Sequence, residues 1–269
     1  MMSRLLMVML FILILDQNTL YTSMHTTFKL AASHPLHRLP NPHTVGSEEC
    51  VMSDEPIPAR KAYQDWAASY DSQENRTRDL DALIVQSIDL PLDGARVIEF
   101  GAGTGKNTAY LAERAGTVLA LDLSSAMLDR ARARLQADHV RFAEHDVTTP
   151  WPANNASADL VIGNLVLEHI EAMEPVFTEA ARVLVPGGTL FICELHPDRQ
   201  ALGSQAQFQQ DGQSRRVEAY HHTLSDYVRA GEAAGLALSG INEAIEAGVE
   251  VSETTPPRLL ALTFTKPDA

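Results

Sequence analysis

The chain predicts an α/β fold in which helices cover both faces of a mostly parallel sheet. Three observations predict it. Short apolar runs between Ala95 and Leu195 are closed by polar or glycine-rich turns and alternate with stretches of helical spacing. The first run passes directly into a glycine-rich turn, VIEFGAGTGKNT, from Val97 to Thr108. The 269 residues are 45% hydrophobic, enough for one core, and show no internal repeat or low-complexity tract.

The turn after the first strand, ARVIEFG, carries the most chemistry. Gly101, Gly103 and Gly105 lack a Cβ, so a ligand can approach the backbone, and the helix that follows offers unpaired N–H groups. A phosphate-wrapping Walker A loop is excluded, because Phe100 stands in the place of its first glycine and Asn107 follows Lys106. The dinucleotide pattern GxGxxG fails too, since its third glycine falls on Lys106. With Glu99 two residues ahead of Gly101, EFGAGTG instead resembles motif I of the class I S-adenosylmethionine-dependent methyltransferases, (D/E)xGxGxG.

The later elements extend the resemblance in order. TVLALDL ends in Asp122 and enters the amphipathic SSAMLDRARARL; an acid at this strand end can accept both ribose hydroxyls. VRFAEHD supplies the third strand and ADLVIGN the fourth, while RVLVPGGTLFICELHP reads as a helix end, a Pro-Gly-Gly turn and the fifth strand, TLFICEL. LALSGINEAI and PRLLALTFTK follow, separated by a loop containing Pro256 and Pro257. From Lys61 to Lys266 the chain is similar to the type 11 small-molecule branch of the family. The resemblance implies a Rossmann-like class I methyltransferase fold: a seven-stranded, mostly parallel sheet with an antiparallel C-terminal hairpin and helices on both faces.

It also implies S-adenosyl-L-methionine as cofactor and a set of roles. Glu99, Gly101, Gly103 and Gly105 would shape the methionine end, Asp122 would bind the ribose and Met127 would pack on the adenine, with Ala102 and Leu123 as further cofactor-binding residues. Asp146 and the backbone of Val147 would read the adenine edge, and Asn164 would lie near the sulfonium. Taken singly, Asp122 and Asp146 also suit strand-end turns, and Met127 and Asn164 also suit plain packing.

Residues 1–52 read as a separate leader, either an upstream mis-start or dispensable. Leu5 to Leu15 is an apolar run behind Arg4, signal-like and short for a membrane span, yet Asp16 ends it without a small-residue cleavage site. Asp16 to Val51 has no period and reads as disordered, whereas the segment from Met52 resembles a bacterial cytosolic start. Residues 53–269 then form the catalytic domain, with a cofactor half at about 93–196 and a substrate loop at about 196–223. Cys50 and Cys193 make no disulfide framework, so a cytoplasmic protein is expected, membrane association or export through the apolar segment being the minority reading.

The formal charge of −14 disfavours nucleic acid, and the expected partner is a small-molecule methyl acceptor. No pattern in the chain speaks to oligomeric state. AYQDWAASYDSQENRTRDLDALIVQSI has helical spacing, with Tyr63, Trp66 and Tyr70 on or near one face; its YxxWAxxYD pattern resembles a segment that lies over the cofactor in many small-molecule methyltransferases. The connection after the fifth strand offers His196, Arg199, Tyr220, His221 and His222 for the acceptor, with His196 expected as the base, and Tyr70 is a further acceptor candidate. His169, in LEHI, reads as packing at a helix start. No metal is expected: there is no CxxC pair or HExxH, and Asn164 follows Gly163 where a metal-dependent catechol-type enzyme has an acid. The alternatives are an NAD(P)-dependent oxidoreductase, which lacks its YxxxK pair here, and a non-catalytic S-adenosylmethionine-binding protein.

Overall fold

The computed structural model describes residues 25–29, 55–210, 212–246 and 248–268. Its central sheet contains β1 (His25–Lys29), β2 (Arg96–Phe100), β3 (Thr117–Asp122), β4 (Val140–Glu144) and β5 (Ala158–Asn164). β6 (Leu184–Leu195), β9 (Ala237–Ile245) and β10 (Leu259–Thr265) complete it, while β7 (Gln207–Gln210) and β8 (Gln213–Arg216) pair separately as a hairpin. The order across the large sheet is β1-β9-β10-β6-β5-β2-β3-β4.

The seven expected strands are all present, and β10 runs antiparallel between β6 and β9. An eighth differs from the expectation of a disordered leader: β1 lies parallel to β9, pairing His25 with Ile241 through Lys29 with Ile245. The apolar run Leu5 to Leu15, Cys50 and Met52 lie outside the described residues. No helix among the described residues is long and apolar enough to cross a bilayer.

Alternation along the strands divides the core. On β6, Leu190 and Ile192 face one buried cluster while Phe191 and Cys193 face the other; on β10, Leu260, Leu262 and Phe264 oppose Leu259 and Ala261. Helices α5 (Glu174–Val183) and α7 (Leu224–Ala233) cover the first face, and α2 (Arg76–Ser87) with α3 (Lys106–Ala112) the second. Helix α4 (Ser125–Arg134) packs on β3 and β4. The Pro-Gly-Gly segment does not end a helix in a free turn: β6 runs through it, with an irregular register against β5.

The expected helical stretch 62–88 is broken. Helix α1 (Ala59–Trp66) is followed by a 3-10 turn, Tyr70–Ser72, before α2 begins at an Asn75 cap whose side chain accepts the Arg78 N–H. Arg78 donates back to the carbonyls of Tyr70 (2.6 Å) and Gln73 (2.8 Å), satisfying backbone acceptors that the break exposes. Beyond β6 the long connection is filled by α6 (Pro197–Ala201) and the β7–β8 hairpin. Trp66 stacks on Phe208 of that hairpin, ring centroids 5.2 Å apart, so α1 and the hairpin form a small cap with its own core.

Candidate active site

Chain direction across the sheet reverses beside β2, which pairs with β3 on one side and β5 on the other, and a ligand crevice opens at such a point beyond the carboxyl ends of the strands. Here the crevice is bounded by the turn after β2, the end of β3 and the end of β5. A cavity of about 530 Å³ occupies it.

Gly101 (φ +71°) and Gly103 (φ +54°) both need left-handed backbone. A Cβ at Gly101 would come within 2.7 Å of Val166, whereas one at Gly103 would meet nothing within 4 Å. Close packing therefore fixes the first, and the second leaves room for a ligand. Gly105 opens α3 and packs against Ala131 of α4 instead of lining the cavity.

Asp122 ties the turn to β3. Its carboxylate accepts the Gly103 N–H (2.8 Å) and the Ser124 N–H (2.8 Å), which leaves further lone pairs on a group that lines the cavity. Burial raises its pKa, and the two backbone bonds oppose that rise. Leu123 and Met127 line the same wall, α4 being capped by Ser124. Asp146 and Val147 line the opposite end. Partial burial pulls the Asp146 carboxyl upward, but its bonds from the Thr148 hydroxyl and N–H outweigh this and leave it below the usual value. The Val147 carbonyl already accepts the Trp151 indole N–H at 2.8 Å.

Helix α1 closes the top. Arg60 donates to the Leu123 carbonyl (3.0 Å) and pairs with Glu144 (2.9 Å), while Gln64 accepts the Ser124 hydroxyl at 3.0 Å. Below, Glu99 and Ala102 border a smaller cavity of about 110 Å³ that continues the crevice. Burial pushes the Glu99 carboxyl up to about 8 despite the bond it accepts from Thr108. Asn164 borders both cavities, and its amide is bonded to the buried Asp81. A side chain at Gly163 would overlap the Phe100 ring, so β5 can deliver Asn164 there only with glycine before it.

A third cavity, about 580 Å³, lies against α1, the start of α2 and the β7–β8 hairpin. Among the described residues only Tyr70 and Leu165 border all three. Leu165 holds a left-handed backbone (φ +55°), an uncommon state for a branched residue, secured by its N–H bond to the Cys193 carbonyl at 2.9 Å.

The loop residues expected on the acceptor side fall into two groups. Tyr220 lines the 530 Å³ cavity, as does Tyr70. His196 lines none of these cavities: its Nδ1 accepts the Asp198 N–H to cap α6, so Nε2 carries the proton and donates to Glu243 at 3.3 Å. Arg199 is spent on the Pro256 and Pro257 carbonyls, His221 on the Pro197 carbonyl and His222 on the Ile170 carbonyl. These three hold the loop together.

The sequence reading missed His169. It lines the 530 Å³ cavity beside Tyr63, with their side chains 2.8 Å apart. Its Nδ1 sits 2.6 Å from the Glu218 carbonyl, which can only accept, so Nδ1 bears the hydrogen and Nε2 receives the Tyr63 hydroxyl. Burial raises the Tyr63 pKa well above its ordinary value, keeping the phenol protonated. Among the described residues no cluster of three or more His, Cys, Asp or Glu side chains is placed to hold a metal ion.

Comparison with known proteins adds to this geometry. Residues 98–192, from β2 to β6, match the methyltransferase domain family. An uncharacterized methyltransferase of Emericella nidulans is 30% identical over 224 aligned residues, covering 68% of this chain and 77% of that protein. The chain belongs to the S-adenosylmethionine-dependent methyltransferases. Within them, this methyltransferase is 37% identical to a demethylmenaquinone methyltransferase of Clavibacter sepedonicus over 105 residues, 39% of this chain and 42% of that one. The chain thus spans less than half of that second relative. In fold it is similar to the crystal structure of an S-adenosylmethionine-dependent methyltransferase of Mesorhizobium loti, with a TM-score of 0.58 at 21% identity over 68% of this chain and 96% of the other. Membership of that family makes S-adenosylmethionine the cofactor, and the oxidoreductase alternative falls away.

Proposed function

We propose that this methyltransferase methylates a small molecule at the junction of the three cavities, with Tyr63 and His169 removing the acceptor's proton. The observation that carries the reading is the Tyr63–His169 hydrogen bond at the wall of the cavity that Asp122 also lines. Bound S-adenosylmethionine supplies an electrophilic methyl group on a sulfonium, open to in-line displacement.

The chain's residues then divide the work. Asp122 accepts the ribose hydroxyls, Met127 and Leu123 pack the adenine side, and Asp146 with the Val147 amide reads its edge. Glu99, Gly101, Ala102, Gly103 and Asn164 surround the methionine end. Displacement at that methyl group would leave the sulfur–carbon electron pair on sulfur, so the task of this chain's own residues is the acceptor's proton. The acceptor's proton passes to the Tyr63 oxygen while the Tyr63 proton moves to His169 Nε2. Glu168 Oε1, 3.7 Å from that nitrogen, stabilises the imidazolium. His196, turned to Glu243, takes no part.

A small acceptor is supported by the cavity volumes of about 530 and 580 Å³, by a formal charge of −14 that repels nucleic acid, and by the demethylmenaquinone named for one relative. The cytosol is where S-adenosylmethionine is made and held, and we assign the enzyme there. Calorimetric titration with S-adenosylmethionine, S-adenosylhomocysteine and NAD, followed by label transfer from methyl-tritiated cofactor to a small-molecule panel, tests the reading. It expects tight binding of both sulfur ligands, silence with NAD, and label in a small product; label only in nucleic acid or protein would overturn it.

A further inference from the structure

The third cavity inverts the charge of the surrounding protein. Arg76, Arg78, Arg216 and Arg258 border it against two carboxylates, Glu74 and Glu168, although the chain carries a formal charge of −14. Three of these six side chains are committed elsewhere. Arg258 is paired with Glu246, Arg78 donates to two backbone carbonyls, and Glu168 accepts the Gln200 amide at 3.2 Å.

Among the described residues Arg76 and Arg216 both have no carboxylate within 4.0 Å and no side-chain hydrogen bond, and Arg76 is exposed to solvent. The Nε atoms of Arg78 and Arg216 are both buried without a partner among the described residues, but the terminal nitrogens of Arg78 are bonded to backbone. Arg216 alone of the four is both partly buried and wholly without a side-chain partner among the described residues. It ends β8 opposite Gln207, which borders the same cavity, on the hairpin that Trp66 clamps through Phe208. A buried guanidinium N–H with no acceptor is costly, and the group's planar fork matches a carboxylate or phosphate.

We propose that this cavity receives the methyl acceptor and that Arg216 binds an oxyanion on it, which makes the acceptor a small carboxylate- or phosphate-bearing molecule. This deepens the methyl-transfer reading and rests on it. The anion sits against the hairpin, and the nucleophilic atom extends toward Tyr63, Tyr70 and Leu165, which this cavity shares with the one lined by Asp122. Arg78 borders both this cavity and the one at the glycine turn, so a change there would disturb cofactor and acceptor together; Arg216 borders only the former of these two.

The test uses the full chain saturated with S-adenosylhomocysteine and titrated with benzoate, phenyl phosphate and neutral benzamide. Wild type, Arg216→Gln and Arg216→Lys are compared, each first titrated with S-adenosylhomocysteine itself. The proposal expects benzoate or phenyl phosphate to bind wild type more tightly than benzamide, the better of the two identifying the headgroup. Arg216→Gln should weaken that probe about tenfold or more, Arg216→Lys less, with S-adenosylhomocysteine affinity unchanged. Equal binding of benzamide, silence from both oxyanions, or undiminished oxyanion binding by Arg216→Gln would overturn it. Failure of wild type to bind S-adenosylhomocysteine would strike the methyl-transfer reading instead, and the same probes added to ligand-free protein would still decide the arginine cavity.

Discussion

The cofactor side of the junction takes its groups from the ends of neighbouring strands: Glu99 near the end of β2 and Gly101 just after it, Asp122 at the end of β3, Asp146 just past β4 and Asn164 at the end of β5. The acceptor side takes Tyr63 from α1, His169 from the turn after β5, Arg216 from the β7–β8 hairpin and Tyr220 from beyond it. On the first side, sheet register alone brings the groups together. On the second, they meet only because α1 and the hairpin fold over the sheet, and the Tyr63–His169 bond spans 106 residues of chain. Under the proposed mechanism, binding of the cofactor and removal of the acceptor's proton rest on separable parts of the molecule.

The largest expected effect tests that separation from the acceptor side. His169→Ala should lower kcat about a hundredfold or more while S-adenosylhomocysteine affinity holds, and Tyr63→Phe should do the same to a lesser degree. Steady-state rates beside calorimetry decide it, and a parallel loss of affinity would merge the two sides. From the cofactor side, Asp122→Ala should weaken S-adenosylhomocysteine about tenfold to a hundredfold, read by the same titration.

A smaller effect concerns the buried acids beneath the junction. Burial pushes Glu194 up to about 8, although its Oε1 accepts the Val166 and Leu167 N–H groups, and Oε2 has no partner. The folded protein therefore holds a proton that the unfolded chain releases near the ordinary glutamate value of 4.5. Stability should fall as pH rises from that value to about 8, and level off above it. Glu99 adds to the same slope. Glu194→Gln keeps the Oε1 acceptor and should flatten the fall in melting temperature over that range; an unchanged slope would remove Glu194 as its source. The smallest effect is expected at His196, where Asn can replace the imidazole cap of α6 and leave methyl transfer unchanged.

The same comparison explains what could be read from the sequence. Each cofactor-side group sits at a fixed offset from an apolar run, so Asp122 and the EFGAGTG turn were visible as soon as the strands were recognised. His196, Arg199, His221 and His222 also stand in a conspicuous loop, but their ring or guanidinium nitrogens are consumed by caps and backbone carbonyls, which composition does not reveal. His169 reads from sequence as packing at a helix start, since its partners, Tyr63 and the Glu218 carbonyl, are remote in sequence. Its one local signal was position, just past the end of β5, where crevice residues collect. The break between α1 and α2 was equally hidden, since the Arg78 bonds that support it show no sequence period.

The most direct test is calorimetric titration of S-adenosylhomocysteine into wild type, Asp122→Ala and His169→Ala side by side. Separable halves predict the same affinity for wild type and His169→Ala, and a loss of about tenfold or more for Asp122→Ala. Affinity lost in His169→Ala but kept in Asp122→Ala would contradict the assignment of both residues.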